Sequence, residues 1–526
     1  MKRLVLSLIL GLAATLFTHA QDAESADVRK NDPLKDYLRP SLTVLYIDRG
    51  ETVAGKIIEQ MQAIGIPGKF DENAIANNGI KANGKVSDAE LDQFIETQVT
   101  KEVVRCWFPS FDPSSKGFST DVIAERGRYN ATDAEVLTAG ASTRKEAMLK
   151  DAGLKLIGRS YIVVYDLYDS KTTANENAVT YETKCNVYLY QLDWNPEVEA
   201  LFYEQWSNPE AIDQVKFPAK KIAAFIAAGQ LTPVSVSNSK SRPIEESLFL
   251  QNFAKVLEQK ADVYLTQVNE DFKVKTSVAS APPVRAKIGT KEGVSVDQRY
   301  FVYEIQLNAA GDQVPKRKGV VRATSSIVKN EIIATGDGGT TKFYQTYGGN
   351  LREGMLMQQK PDWGVGISAF GGTDATVLAE FSVGMWLNEF VPSLRNIRFP
   401  SGTKIYAKYA LPFTTMEVDE VKLVDSETQD ELNFGLLSFG LSKDLYFAHI
   451  FSVTPYVGYS MLLTPSEYKE SIEATEELTY GIDAGLNLTV AVLHNVQIIG
   501  NAGYNSVKTT WYPNGITLGA GLRVQF

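Results

Sequence analysis

The chain ends in ITLGAGLRVQF (516–526), a stretch in which apolar residues alternate with glycine or polar residues. Every even position carries an apolar side chain, and the odd positions carry Thr, Gly, Gly, Arg and Gln. Successive side chains of a strand point to opposite faces, so one face is apolar and the other is small or polar. A water-facing sheet does not need this combination, whereas a β-barrel in lipid does.

Seven further segments show the same alternation of apolar with small or polar residues, and it is next clearest in YGIDAGLNL (480–488). Each segment has the roughly 9–11 residues that a tilted membrane-spanning strand requires. An open edge in hydrocarbon would leave backbone groups without hydrogen-bond partners, so the sheet has to close. The sequence therefore predicts an eight-stranded antiparallel transmembrane β-barrel over 362–526. The eight predicted strands are 363–371, 375–387, 402–411, 432–442, 451–462, 479–489, 495–506 and 516–526.

This region resembles the small eight-stranded outer-membrane barrels of the OmpA/OmpX type, which also end in an alternating strand with a terminal aromatic residue, here Phe526. The resemblance covers 363–526 and implies a place in the outer membrane of a Gram-negative envelope, with membrane lipid as a partner. In OmpA-like proteins the soluble domain follows the barrel, whereas here it precedes the barrel. Their peptidoglycan-binding function is therefore not carried over.

The region before the barrel is predicted to be multidomain. Residues 1–20 combine a basic pair, an apolar run and small residues before Gln21, which is the pattern of a secretory signal peptide. Alternating helical and strand patterns then predict an α/β (α+β) periplasmic domain over 21–235 and a helical connector over 236–270. Short strands separated by turns predict a small antiparallel β domain over 271–361.

Local signals place several elements in the first domain. Ser87 and Glu90 have the spacing of a capping box at the start of a helix. Two β-rich runs, 160–167 and 179–192, predict a hairpin, and helices are expected over 209–229 and 243–267.

The two cysteines, Cys106 and Cys185, are a candidate disulfide, because an oxidising periplasm favours the bond and both lie on apolar faces. The alternative is that both thiols are inert.

Four charged residues occupy strand positions that alternate with the lipid-facing ones, so their side chains point to the opposite face of the predicted barrel. Charge toward lipid near the midplane costs roughly 2–4 kcal/mol for Arg or Lys, so these residues are assigned to the interior. Because their strands are neighbours, Glu380 and Lys408 are expected to pair, and a paired network would close the barrel to flow. The alternative is that they only solubilise a wet lumen. The four are Glu380, Lys408, Asp483 and Arg523.

Composition and motifs argue against several classes of function. The formal net charge of -10 disfavours nucleic acid as a partner. Residues 79–85 have P-loop spacing, but Val86 replaces the required Ser or Thr, so no nucleotide is expected. Residues 21–360 contain no histidine, which excludes His-based triads and Cys/His zinc sites there. No catalytic residue, cofactor or metal is therefore assigned.

Three functions follow, in order of preference. The first is an outer-membrane-anchored periplasmic binding or scaffold protein without catalytic activity, with an envelope or secretion protein as its partner. The alternative is an adhesin-like surface protein that binds through acidic loops, since 412–431 carries a net charge of -6 and 463–478 carries -4. The third is an enzyme housed in the soluble region.

Overall fold

The chain divides into two compact units, Asp36–Val274 and Lys275–Phe526, which are described separately. The expected signal peptide lies outside the described residues. The computed structural model describes residues 39–130 apart from 77 and 83, 153–225, 234–307 apart from 242, 313–330, 339–385, 399–412, 435–463, 480–507 and 515–526.

The first unit is built on one mixed sheet. Its strand order is β2-β1-β6-β7-β8, with β3 beside β1 and β9 beside β7. β1 runs parallel to β2, β3 and β6, whereas β7 is antiparallel to β6, β8 and β9. The hairpin expected from the two β-rich runs is therefore present. The strands are β1 Ser41–Asp48, β2 Asp71–Glu72, β3 Gly79–Lys81, β6 Ser160–Ala174, β7 Ala178–Leu192, β8 Ala219–Phe225 and β9 Val234–Ser239, beside a separate hairpin of β4 Phe111–Asp112 and β5 Gly117–Phe118.

Helices cover both faces of this sheet. The capping box predicted at Ser87 and Glu90 is formed at the start of the helix Asp88–Phe94. A π-helical turn at Ile95–Val99 joins this helix to the next one, Thr100–Trp107. Among the described residues, no helix has both the length and the apolar character that crossing a membrane requires. The helices are α1 Thr52–Ile64, α2 Asp88–Phe94, α3 Thr100–Trp107, α4 Asp121–Asn130, α5 Pro196–Glu204, α6 Ala211–Gln214 and α7 Glu246–Val268, with a 3-10 turn at Glu270–Phe272.

Two expected helical segments of this unit differ in the structure. The helix expected over 209–229 is only the single turn of α6, after which the chain becomes strand β8. Pro218 lacks a backbone N–H and keeps the residue before it extended, so the helix cannot continue. The segment 236–270 is not a separate connector, because α7 packs in the core beneath β1 and β6.

The candidate disulfide between Cys106 and Cys185 is not formed, and both residues are free thiols. Cys185 is buried on the sheet face that α1 and α7 cover. α3, which carries Cys106, packs on the opposite face. The sheet therefore separates Cys185 from the core in which the helix that carries Cys106 packs.

We expect two reactive thiols per chain when unreduced protein is denatured and alkylated, because the sheet keeps Cys106 and Cys185 apart. Mass spectrometry of the alkylated protein gives the count. A protein with no reactive thiol before reduction and two after it would contradict the packing described here.

The second unit begins with a small barrel of six antiparallel strands, in the order β10-β11-β14-β13-β12-β15 and closed by pairing of β15 with β10. The antiparallel β structure expected in 271–361 is thus a closed barrel. Its strands are β10 Lys275–Ser280, β11 Val284–Ala286, β12 Arg299–Leu307, β13 Gln313–Ala323, β14 Thr341–Gly348 and β15 Leu356–Gln359.

A larger antiparallel barrel of eight strands follows, as predicted. The first strand, β16, pairs with the last, β24, and pairing of β19 with β21 closes the sheet. β20 continues β19 beyond a break at Asp444 and pairs with β21. The strands are β16 Val365–Gly372, β17 Asp374–Ser382, β18 Thr403–Pro412, β19 Gly435–Lys443, β20 Leu445–Ala448, β21 Phe451–Leu463, β22 Tyr480–Ala491, β23 Val496–Asn505 and β24 Gly515–Gln525.

The two faces of this barrel differ as the alternation requires. On β24, Ile516 and Leu518 are 71% and 54% exposed, whereas Arg523 is 1% exposed. Exposed apolar side chains surround the outside, and buried polar ones line the inside. Outward-facing examples are Ile367, Val377, Phe439, Val457, Ile482, Leu488 and Ile498, and inward-facing examples are Ser368, Thr376, Ser438, Thr454, Ser460, Asn487 and Asn501.

Candidate functional site

The structure places all four charged residues assigned to the barrel interior inside it, each of them buried. They form two ion pairs. Arg523 Nη2 lies 2.6 Å from Glu380 Oε2, and Lys408 Nζ lies 2.5 Å from Asp483 Oδ2. The interior therefore holds each charge opposite one of the other sign.

The expected pair of Glu380 with Lys408 is wrong. β17 and β18 are neighbours, but their register sets Lys408 opposite Leu378 and Glu380 opposite Tyr406. Glu380 instead meets Arg523 across Gly366 of β16, where an added Cβ would lie 3.2 Å from Arg523 Nε. The absent side chain at this position leaves room for the guanidinium.

A third ion pair joins Lys404 to Asp444, with Nζ and Oδ2 2.5 Å apart. Asp444 also accepts a hydrogen bond from the Thr454 hydroxyl at 2.8 Å and lies 3.8 Å from Arg523 Nη1. Sequence reasoning missed this pair because Asp444 lies in the break between β19 and β20. Lys404 shares the inward parity of Lys408, which was the available signal.

Aromatic and amide side chains fill the space around these pairs. The Tyr406 hydroxyl donates to Asp483 at 3.3 Å, and Asn501 donates to the Tyr456 hydroxyl at 3.1 Å. Gly503 makes room for Tyr456, since a Cβ there would collide with the tyrosine hydroxyl. A residual cavity of about 10 Å³ beside Lys408 holds no more than one water molecule.

One end of the eight-stranded barrel is fixed to the small barrel through Asp297. Its carboxylate accepts hydrogen bonds from Tyr344 at 2.9 Å, Ser382 at 3.0 Å and the Gly402 N–H at 2.8 Å. Burial raises the pKa of Asp297 above its ordinary range, against the effect of these donors. At the same end, His494 packs edge-on against a phenylalanine of the small barrel at 5.3 Å.

The first unit contains a pocket of about 150 Å³ between the sheet and the helices α1 and α7. Its walls are mostly apolar, and Tyr46 and Tyr165 stack beside one another with ring centroids 5.8 Å apart. These residues come from distant parts of the chain, so no local sequence signal marks the pocket. The apolar wall residues include Leu42, Val44, Met61, Ile66, Phe70, Val163 and Leu265.

Glu258 of α7 is the polar group that distinguishes this pocket. Burial raises the pKa of its carboxyl from the ordinary range to about 8, against the opposing effect of Lys255 one turn earlier. Burial is the main cause that raises the pKa of Tyr46 and of Tyr165, and the negative charge of the Glu258 carboxylate is the second cause. Among the described residues, neither phenol nor the Glu258 carboxyl has a hydrogen-bond partner.

Among the described residues, no group of three or more His, Cys, Asp or Glu side chains is placed so that it could bind a metal ion. The P-loop-like spacing at 79–85 falls partly on the short edge strand β3.

A closed antiparallel barrel with an apolar outside and a polar, charge-paired inside is the architecture of outer-membrane β-barrel proteins. Residues 365–525 therefore have the architecture of an outer-membrane β-barrel, and the number of strands is the eight expected from the sequence.

Comparison with known proteins adds two solved structures. The chain is similar to the outer membrane protein Ail of Yersinia pestis, solved in a phospholipid bilayer nanodisc, with 13% identity and a TM-score of 0.21 over 31% of this chain and 97% of Ail. It is also similar to the beta domain of the Bordetella autotransporter BrkA, with 10% identity and a TM-score of 0.17 over 68% of this chain and 87% of that domain. No protein family and no curated protein matches the chain.

We expect Arg523→Met to destabilise the eight-stranded barrel by about 3–5 kcal/mol, because it leaves Glu380 buried without its partner. Urea unfolding in detergent micelles, followed by the heat-dependent gel shift of folded barrels, measures the loss. The double variant Glu380→Gln/Arg523→Met is the control and should recover at least half of the lost stability. A single variant as stable as the unchanged protein would show that the pair is dispensable.

We expect Glu258→Gln to remove a pH dependence from the stability of the first unit. The folded-state pKa of about 8 lies above the ordinary value, so the folded state holds the proton more tightly than the unfolded chain does. This contribution is complete below the ordinary carboxyl pKa and is lost as the pH rises through about 8. The variant should therefore gain about 2–4 kcal/mol over the unchanged protein between about pH 5 and pH 9.

Hydrogen exchange of β1 and β6 in the full-length protein measures this difference. Glu59→Gln, which removes an exposed acid from α1, is the matched control and should show no such trend. Parallel pH profiles for Glu258→Gln and the unchanged protein would contradict a protonated Glu258.

Proposed function

We propose that this chain is a non-catalytic outer-membrane protein whose barrel anchors a periplasmic region that binds an envelope or secretion protein. The observation that carries the proposal is the filled barrel interior, where three ion pairs and aromatic side chains occupy the lumen. Eight strands enclose a space just wide enough for side chains. A barrel of this kind serves as an anchor and not as a channel.

The connections between strands support a periplasmic position for the preceding region. The short turns at 449–450 and 492–495 lie at the end of the barrel where the chain enters from the small barrel. Bacterial barrels keep their short turns on the periplasmic side and their longer loops outside. The strand ends Pro412, Gly435, Leu463 and Tyr480 lie at the opposite end of the barrel. The proposal therefore puts the connections that they flank, 413–434 and 464–479, on the cell surface.

The acidic composition of 412–431 and 463–478 favours a second candidate, a cell-surface protein that binds basic partners through these connections. A solvated acidic loop needs no partner, so this candidate ranks second. The two functions differ in which part of the chain contacts the partner.

We expect the purified protein to give no large, stable conductance steps in planar bilayers, because paired charges fill the lumen. A large porin under the same conditions is the positive control, and detergent alone is the blank. Stable large openings of the unchanged protein would refute the anchoring function.

We expect protease added to intact cells to cut within 412–431 and 463–478 and to spare 39–274 until the outer membrane is permeabilised. Mapping the fragments by mass spectrometry checks the assignment. Cleavage of 39–274 in intact cells would invert the proposed topology.

Cross-linking in intact envelopes then separates the two candidates. Cross-linked peptides from 39–274 support the periplasmic binding protein. Cross-links confined to 412–431 and 463–478 would replace it with the surface-binding candidate.

A further inference from the structure

The pocket of the first unit holds polar groups that the packing of the unit does not use. Tyr46 and Tyr165 are 4% and 6% exposed, both line the pocket, and neither hydroxyl has a hydrogen-bond partner among the described residues. Glu258 faces the same space and is equally unpartnered there. All three groups line one pocket, so this grouping indicates a site for a ligand that offers them a polar partner.

We propose that this pocket binds an alkylammonium group, with the Glu258 carboxylate as its counter-ion and the tyrosine pair as its aromatic wall. The proposal goes beyond membrane anchoring and does not depend on which way the barrel faces. It concerns only residues within the first unit.

The charges of the lining select a cation. Among the described residues, the lining contains three acids, Glu72, Glu258 and Asp262, and no lysine or arginine. Lys69 neutralises Asp262, since its Nζ lies 2.7 Å from Asp262 Oδ1. Glu72 lies exposed at the rim, and Glu258 remains as the inner acid without a cation.

The aromatic wall adds to this preference. The rings of Tyr46 and Tyr165 stack with only 18° between their planes, and both residues line the pocket. The face of an aromatic ring attracts a cation by about 0.5–2 kcal/mol, depending on its desolvation. A tyrosine hydroxyl can also accept a hydrogen bond from an ammonium group.

The size of the pocket limits the length of the ligand. Its volume of about 150 Å³ is similar to that of an apolar cavity that accepts benzene, a molecule of six heavy atoms. The aliphatic walls from Val44, Met61 and Leu265 suit an unbranched alkyl chain. A free amine of four or five carbons and the side chain of a partner's lysine have the same chemistry and both fit.

Binding carries a proton signature. The empty pocket holds Glu258 mainly protonated at neutral pH, because burial raises its pKa to about 8. A bound ammonium favours the carboxylate and keeps its own protons, so Glu258 releases its proton to the buffer. Uptake of one ligand should therefore release just under one proton near pH 7 and very few near pH 9.

Isothermal titration of the full-length protein in detergent tests the proposal with n-pentylamine and with n-pentanol, the neutral analogue. We expect pentylamine to bind at least about tenfold more tightly than pentanol. The number of protons released is obtained by repeating the titration in buffers of different ionisation enthalpy and comparing the binding enthalpies. Equal affinity for the two probes, binding of neither, or binding of pentylamine without proton release would overturn the proposal.

Two variants and a second probe complete the test. Glu258→Gln should weaken pentylamine about tenfold or more and abolish proton release, yet leave pentanol binding unchanged, which shows that the pocket is intact. Glu59→Gln removes an acid outside the pocket and should change neither probe. A peptide with one central lysine separates the sources: tighter binding than pentylamine indicates a protein side chain, and weaker binding indicates a free amine.

Discussion

Hydrocarbon offers no hydrogen-bond partner to a backbone N–H or C=O group, and this constraint determines the structure of the eight-stranded barrel. The first strand of the larger barrel pairs with the last, and β19 pairs with β21, so the eight strands form a ring without an edge. In a closed barrel, alternate side chains of each strand point either outward to the lipid or inward to the lumen. Every polar residue of the alternation is therefore directed into a narrow lumen, where charges have to find partners within the barrel.

The strands of the barrel could be predicted because their signal is local. Alternation along ten residues distinguishes the two faces, so 516–526 alone identifies Arg523 as an inward residue. The ion pairs could not be predicted in the same way, because they depend on strand register and on residues of other strands. Glu380 lies beside Lys408 in strand order, but the register and the missing side chain of Gly366 direct it to Arg523.

The first unit shows the same division between local and non-local information. The capping box at Ser87 and the hairpin of β6 and β7 have short-range signals, and both are present. The segment after Pro218 could not be assigned from its composition, because AKKIAAF suits either a helix or an edge strand. Its pairing with β7 decides in favour of the strand. The pocket is still less local, since Tyr46, Tyr165 and Glu258 meet only when the parallel strands β1 and β6 lie beneath α7.

The polar interior of the barrel and the pocket of the first unit differ in how their charges are paired, and this difference supports the proposed roles of the two regions. In the described part of the barrel, Lys404, Lys408 and Arg523 each lie against an acid, so these three positive charges are balanced within the barrel. In the first unit, Glu258 faces two phenols and apolar walls without any cation within reach of an ion pair among the described residues. A buried acid of this kind destabilises the fold when ionised. A ligand that supplies the missing positive charge removes this cost, and the binding function is therefore expected in the first unit and not in the barrel.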